Sequence, residues 1–295
     1  MIKGTTKLLG VIGHPIAHSL SPVMHNAAIS HLGVDFVYLA FPVKPEDLEV
    51  ALLGFGAIDL RGFSITIPHK QTILPLLAEI SPIARSIGAV NTVYRTDKGW
   101  CGTNTDVEGF LAPLQTPANL AREGSDWSQK VAVILGNGGA ARAVVAGCAQ
   151  LGCAEIHVVG RSAPNLAEFQ QSWVTSPMPV QNLQVHTWDN LSMLISQADL
   201  LVNTTPVGMH PHGEKSPVAA AAIDRISAGA IVYDLIYTPN PTQFLKDAQL
   251  RGARAIDGLE MLVQQGAAAL KIWLDTESVP VDVMRQALRQ HLGLD

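Results

Sequence analysis

Short continuous apolar runs alternate with helix-like stretches along almost the whole chain, the pattern of an α/β protein with largely parallel sheets. In the first third, "KLLGVIG", "FVYLAFPV" and "LRGFSITIP" read as strands. Between them "SPVMHNAAISHLG" and "PEDLEVALLGFGA" read as helices. The first of these has Ser21 as N-cap, Pro22 at the first helical position and Gly33 at the exit. "QTILPLLAEI" is expected to be helical, and "GAVNTVYRTDKGWCGTN" to be a hairpin turning at Asp97-Lys98-Gly99. Thr105 to Glu108 has the spacing of a capping box that opens a further helix.

The polar, aperiodic stretch from Thr116 to Gln129 reads as a connection to a second alternating unit. Its strands, "KVAVIL", "EIHVVG", "LLVNTTP" and "AIVYDLIY", read as near-continuous apolar runs, as expected when helices cover both faces of a sheet. Helical "GLEMLVQQGAAALKIWL" and "PVDVMRQALRQHL" close the chain. The expected architecture is α/β with two domains: residues 1–107 completed by 260–295, and a dinucleotide-binding domain over 108–259.

The 295 residues, 47% hydrophobic and 15% charged, suffice for two cores. A net charge of −5 without a Lys/Arg cluster argues against nucleic acid as a partner. Cys101, Cys148 and Cys153 form no CxxC pair and fit a reducing compartment. With no apolar run of 18 residues and only "LLGVIG" near the N-terminus, the expectation is a cytoplasmic protein without a membrane partner. "HPIAHSLSPVMHN", His14 to Asn26, crowds three histidines into thirteen residues. Pro15 opposes a helix through His14 and His18, no Glu follows His14 and no cysteine is near, so no metal is expected there.

The strongest chemical signal is "KVAVILGNGGAARAVVAGCAQLG". A strand runs into Gly136-Asn137-Gly138-Gly139-Ala140-Ala141, a G-x-G-x-x-A loop, and then into an Ala-rich helix. Gly136 permits the tight turn, Gly138 lets backbone amides approach a pyrophosphate, and the helix N-terminus favours its charge. After the next strand comes Gly160-Arg161-Ser162, with no carboxylate from Val158 to Asn165. An NAD site would place an acid there for the ribose hydroxyl, whereas Arg161 suits the 2′-phosphate of NADP.

Taken together, "GHPIAHSLSPVMHN", "SITIPHK", "GAVNT", "GTNTD", "GNGGAARA", "NTTPVGM", "YDLIYTP" and "DGLEMLVQQGA" resemble the blocks of the shikimate dehydrogenase family, in the same order, from Gly10 to Gln265. The resemblance implies NADPH-dependent reduction of 3-dehydroshikimate to shikimate, a step toward the aromatic amino acids, in a cleft between a substrate domain and a Rossmann-like domain. It implies that Lys70 and Asp106 are the catalytic pair. It places Ser19 and Ser21 on the substrate carboxylate, Thr66, Asn91 and Gln265 on hydroxyls, and Tyr237 among the substrate contacts. It puts the backbone of Leu235 and Gly258 at the nicotinamide end of the cofactor.

One departure stands out. The family commonly has Asn-Arg-Thr after the second strand with another basic residue beyond, and here Arg161 stands alone. One charged contact fewer weakens discrimination against NAD by about 1 to 3 kcal/mol. The alternatives are a relative that also oxidises quinate with NAD, and a non-catalytic shikimate sensor. Retention of Lys70 and Asp106 speaks against the sensor, and a folate-linked dehydrogenase has only fold analogy behind it. A monomer or homodimer is expected.

Overall fold

A computed structural model describes residues 2–116 and 126–294. The chain divides into two compact units, Met1–Gly109 with Leu262–Asp295, and Phe110–Met261. The connection read over Thr116 to Gln129 lies mostly outside the described residues; its end, Trp127–Gln129, is a single 3₁₀ turn.

The first unit is built on a six-stranded sheet of β1 (Lys7–Gly13), β2 (Phe36–Pro42), β3 (Gly62–Ile65), β4 (Glu79–Ile80), β5 (Thr92–Thr96) and β6 (Gly99–Thr103), in the order β2-β1-β3-β5-β6-β4. β1 lies parallel to β2 and β3, but β5 is antiparallel to both β3 and β6. The sheet is therefore mixed, with the parallel pairings β1–β2, β1–β3 and β4–β6 still the majority. A two-residue turn forces β5 and β6 to run in opposite directions, and this hairpin occupies the sheet's interior. Ile12, Phe63, Ile65 and Val93 form its core with Leu52 and Phe55 of the helix Leu48–Ala57.

Three local expectations need correction. The helix Ser21–Leu32 has Leu20 as its N-cap, with no side-chain cap bond, so Ser21 is already helical. β3 ends at Ile65, and Thr66 to Pro68 leave the strand, because the loop must turn before the helix His69–Thr72. "QTILPLLAEI" is not one helix: it holds the end of His69–Thr72, the 3₁₀ turn Leu74–Leu76 and β4. Pro75 supplies no amide hydrogen and blocks a continuous helix through the stretch.

The second unit holds β7 (Val131–Leu135), β8 (Glu155–Gly160), β9 (Leu183–Thr187), β10 (Leu200–Asn203), β11 (Ile231–Asp234) and β12 (Arg254–Ile256). All pairings are parallel and the order is β12-β11-β10-β7-β8-β9. This is the doubly wound dinucleotide-binding order, whose direction reverses between β7 and β10. Ala132 to Leu135 are fully buried, which accounts for the unbroken apolar run. The helices Gly139–Leu151 and Ala163–Val174 follow β7 and β8.

Candidate active site

Sheet register gathers residues that are far apart in sequence. Thr92 of β5 pairs with Thr103 of β6, so Asn91 and the segment Asn104-Thr105-Asp106 emerge together at the open end of the hairpin. Ser64 of β3 pairs with Thr92, which brings the following turn and Lys70 to the same end. The turn is anchored by His69, fully buried with Nε2 2.8 Å from the Val43 carbonyl. The backbone amide of Val90 donates to the Lys70 carbonyl at 2.8 Å. Lys70 is thus tied to the strand that presents Asn91.

Lys70 Nζ donates to Asp106 Oδ2 at 2.5 Å, with the two side chains 15% and 6% exposed. Asn91 Nδ2 donates to the other oxygen, Oδ1, at 2.9 Å, and lies 3.3 Å from Gln265 Oε1. Asn91 Oδ1 accepts from the Thr105 amide at 2.8 Å and from the Thr92 hydroxyl at 3.0 Å. The Thr105 hydroxyl donates to the Gln265 carbonyl at 3.0 Å, so it is drawn into this network beyond its place at the start of the helix Asp106–Leu111. Four of the expected residues, Lys70, Asn91, Asp106 and Gln265, therefore form one connected polar cluster. Thr92, Asn104 and Thr105 belong to it as well and were missed; only the tertiary pairing marks them.

The serines sit on the loop after β1. Ser19 Oγ accepts from the Ser21 amide at 3.3 Å, and Ser21 is buried in the first turn of its helix. Thr66 donates its amide to the Ile12 carbonyl at 3.0 Å, continuing the β1–β3 pairing past the strand end.

In the second unit, Gly136 has φ +101, and a Cβ there would stand 2.8 Å from the Thr204 hydroxyl, at the reversal between β7 and β10. The turn itself demands this glycine. Gly138, the N-cap of the helix Gly139–Leu151, is different: an added Cβ would meet nothing within 4 Å. Protein packing does not require a glycine there, whereas close approach by a ligand would. Asn137 Oδ1 lies 3.3 Å from the Cβ position of Gly160, so the loop meets the end of β8. Arg161 is exposed, and Ser162 caps the helix Ala163–Val174 by accepting from the Asn165 amide. Gly139 and Ala140 open the helix after the loop.

Gly258 lies against Leu235; a Cβ at 258 would stand 2.1 Å from the Leu235 carbonyl oxygen. Tyr237 is half-buried. Sequence reasoning overlooked the buried network beside them. Asp234 accepts from Asn203 Nδ2 at 2.9 Å, the Ile236 amide at 3.1 Å and the Thr242 hydroxyl at 2.7 Å. Burial pushes its carboxyl up to about 6 against these three donors. Asn203 Oδ1 in turn accepts from the amide and hydroxyl of Thr205, which shapes the loop after β10.

Two family descriptions match the chain: "Shikimate dehydrogenase substrate binding domain" over residues 11–93 and "Shikimate 5'-dehydrogenase C-terminal domain" over residues 258–289. A shikimate dehydrogenase (NADP(+)) of Trichormus variabilis is 65% identical over 294 residues, covering 100% of both chains. The chain belongs to the shikimate dehydrogenase family. Among solved structures, a shikimate dehydrogenase in complex with NADP+ is 35% identical with a TM-score of 0.86, over 99% of this chain and 98% of that one. Another, from Thermus thermophilus in complex with NADP(H) and shikimate, is 33% identical with a TM-score of 0.81, over 97% and 99%. The α/β architecture of two sheets is the family's.

Among the described residues, no group of three or more His, Cys, Asp or Glu side chains is placed to hold a metal. No described helix is long and apolar enough to cross a membrane.

Proposed function

We propose that this shikimate dehydrogenase family member catalyses the reversible, NADPH-dependent reduction of 3-dehydroshikimate to shikimate in aromatic amino-acid biosynthesis. The observation that carries the reading is the Lys70–Asp106 pair, held at 2.5 Å with Asn91 on the second carboxylate oxygen.

Reduced dinucleotide, when bound, supplies the hydride for the carbonyl carbon. Negative charge then grows on the carbonyl oxygen, and Lys70 donates a proton to it. The ammonium has three donors and spends one on Asp106, which leaves donors for substrate. Asp106 orients Lys70 and accepts from a substrate hydroxyl, while Asn91 fixes the plane of its carboxylate. Gln265 and Thr66 serve the remaining hydroxyls, and Ser19 and Ser21 receive the ring carboxylate beside the first turn of the helix Ser21–Leu32. Tyr237 completes the substrate contacts.

For the dinucleotide, the loop Gly136 to Ala140 is the pyrophosphate cradle, with Gly138 as the point of closest approach. Arg161 pairs with the 2′-phosphate, flanked by Gly160 and Ser162. The Leu235 and Gly258 backbones meet the nicotinamide end.

Initial-rate absorbance of reduced nicotinamide, with shikimate and quinate each tried against NADP and NAD, tests the reading. Fast reduction with shikimate and NADP is expected. Equal or greater efficiency with NAD would overturn the role of Arg161, and comparable rates with quinate would overturn the substrate assignment. No turnover in any combination would overturn the enzymatic reading itself.

A further inference from the structure

Three loops leave the carboxyl ends of β10, β11 and β12, the edge at which a doubly wound sheet receives its dinucleotide. One buried side chain ties them together. Asp234, the last residue of β11, is fully buried, and both of its oxygens are claimed. Oδ1 accepts from Asn203 Nδ2 at 2.9 Å and from the Ile236 amide at 3.1 Å, while Oδ2 accepts from the Thr242 hydroxyl at 2.7 Å. Asn203 ends β10 and shapes the loop beyond it, taking the Thr205 amide and hydroxyl on Oδ1 and reaching the Val207 carbonyl with Nδ2 at 3.3 Å. The adjacent Thr204 hydroxyl donates to the Leu135 carbonyl at 2.6 Å, one residue before Gly136. On the other side the Leu235 amide donates to the Asn203 carbonyl at 3.1 Å, and the Gly258 amide donates to the Ile236 carbonyl at 3.2 Å. Asp234 is the centre through which the start of the glycine loop, the loop after β10 and Gly258 are joined.

We infer that Asp234 is a positioning residue for the nicotinamide end of the bound dinucleotide, its carboxylate setting the backbones of Leu235 and Gly258 against the loop after β10. The inference rests on the proposed function, since it takes those two backbones to meet the nicotinamide. A carboxylate is a costly group to bury, and the three partners named here are neutral donors rather than a cation. What it alone provides is acceptance from three donors on three segments at once.

The clamp needs the charge. A proton on either oxygen would face a hydrogen already there, and one of the three donors would be released. Thr242 Oγ also accepts from the Leu245 amide at 3.3 Å, as N-cap of the helix Gln243–Leu250, so its own hydrogen is directed to Asp234. Burial raises the carboxyl to about 6. Asp257, just past β12, adds a like charge that acts in the same direction, whereas Asn203 and the first helical turn, Gln243 to Leu245, bring no charge. The clamp is therefore closed at neutral pH and opens as pH falls through about 6.

Fluorescence titration of the full chain with NADPH tests the inference. ADP-ribose 2′-phosphate, the same dinucleotide without its nicotinamide, serves as the competing reference ligand. Asp234→Asn should weaken NADPH binding about tenfold at pH 7.5, the effect of one hydrogen bond to a charged group. It should leave both the affinity for the reference ligand and the KM for shikimate within about twofold. Equal weakening of the two ligands would mean a general loosening of the domain and overturns the inference. So does a variant that melts lower yet binds NADPH as wild type does. The gap between variant and wild type should close to about threefold at pH 5.5, where most wild-type carboxyls carry the proton. In wild type alone, NADPH affinity should fall about threefold relative to the reference ligand between pH 7.5 and 5.5. The two ligands share the 2′-phosphate, so its own titration cancels. This measurement needs no variant to fold, and a flat ratio overturns the inference while leaving the enzymatic reading standing. A wild type that binds no NADPH overturns both.

Discussion

The Lys70 ammonium stands 2.5 Å from one oxygen of the Asp106 carboxylate. Both side chains are largely withdrawn from water, so each fixes the other's position. Replacing Lys70 by Ala should lower kcat by about a thousandfold or more with KM for shikimate changed only a few-fold, because its interaction grows as charge develops on oxygen. Steady-state rates check this; a kcat within a few-fold of wild type would remove Lys70 from the chemistry.

Gly258 faces the Leu235 carbonyl at a separation no Cβ tolerates, 2.1 Å from the oxygen. The obstacle is backbone, so it cannot swing aside. Gly258→Ala should cost about 2 to 4 kcal/mol of stability, toward the upper range of overpacking, and raise the KM for NADP with it. Thermal melts and cofactor titration read both. An unchanged melting temperature would mean that the Leu235 segment yields freely.

His25 sets an acid limit on stability. Its ordinary value near 6.5 is lowered to about 3 by burial, so between these pH values the unfolded chain binds a proton that the folded chain refuses. Stability linked to His25 is complete above about pH 6.5 and is lost at about 1.4 kcal/mol per unit as pH falls below it. His25→Phe keeps a ring against Tyr38 and removes the titration, so its melting temperature should fall less than that of wild type between pH 6.5 and 5. Parallel curves would show that His25 takes up its proton without unfolding.

Arg161 is the only cation at Gly160-Arg161-Ser162 and it is exposed. Arg161→Ala should reduce the preference for NADP over NAD about ten- to a hundredfold, the range of one charge-assisted hydrogen bond, chiefly through the KM for NADP. Ratios of kcat/KM for the two dinucleotides measure it. An unaltered ratio would place 2′-phosphate recognition elsewhere.

Short-range patterns in this chain carried what depends on short-range physics. Mostly apolar runs marked β7, β8, β10 and β11 because a parallel sheet covered on both faces buries most of its side chains. Gly33 and Gly136 were legible from the backbone conformations they must adopt, at φ +66 and +101. The order of blocks along the chain sufficed for the family. Tertiary pairing decided the rest. Lys70, Asn91, Asp106 and Gln265 span 195 positions between the first and last, and only the β3–β5–β6 register and the helix Leu259–Leu274 bring them together. Ser21 reads as an N-cap in sequence, yet Leu20 takes that place and Ser21 lies buried inside the first turn. Tyr38, Ser64, Asn203 and Asp234 carry no local signal, since a buried polar side chain is recognised by the partner that satisfies it, and that partner is chosen by the fold.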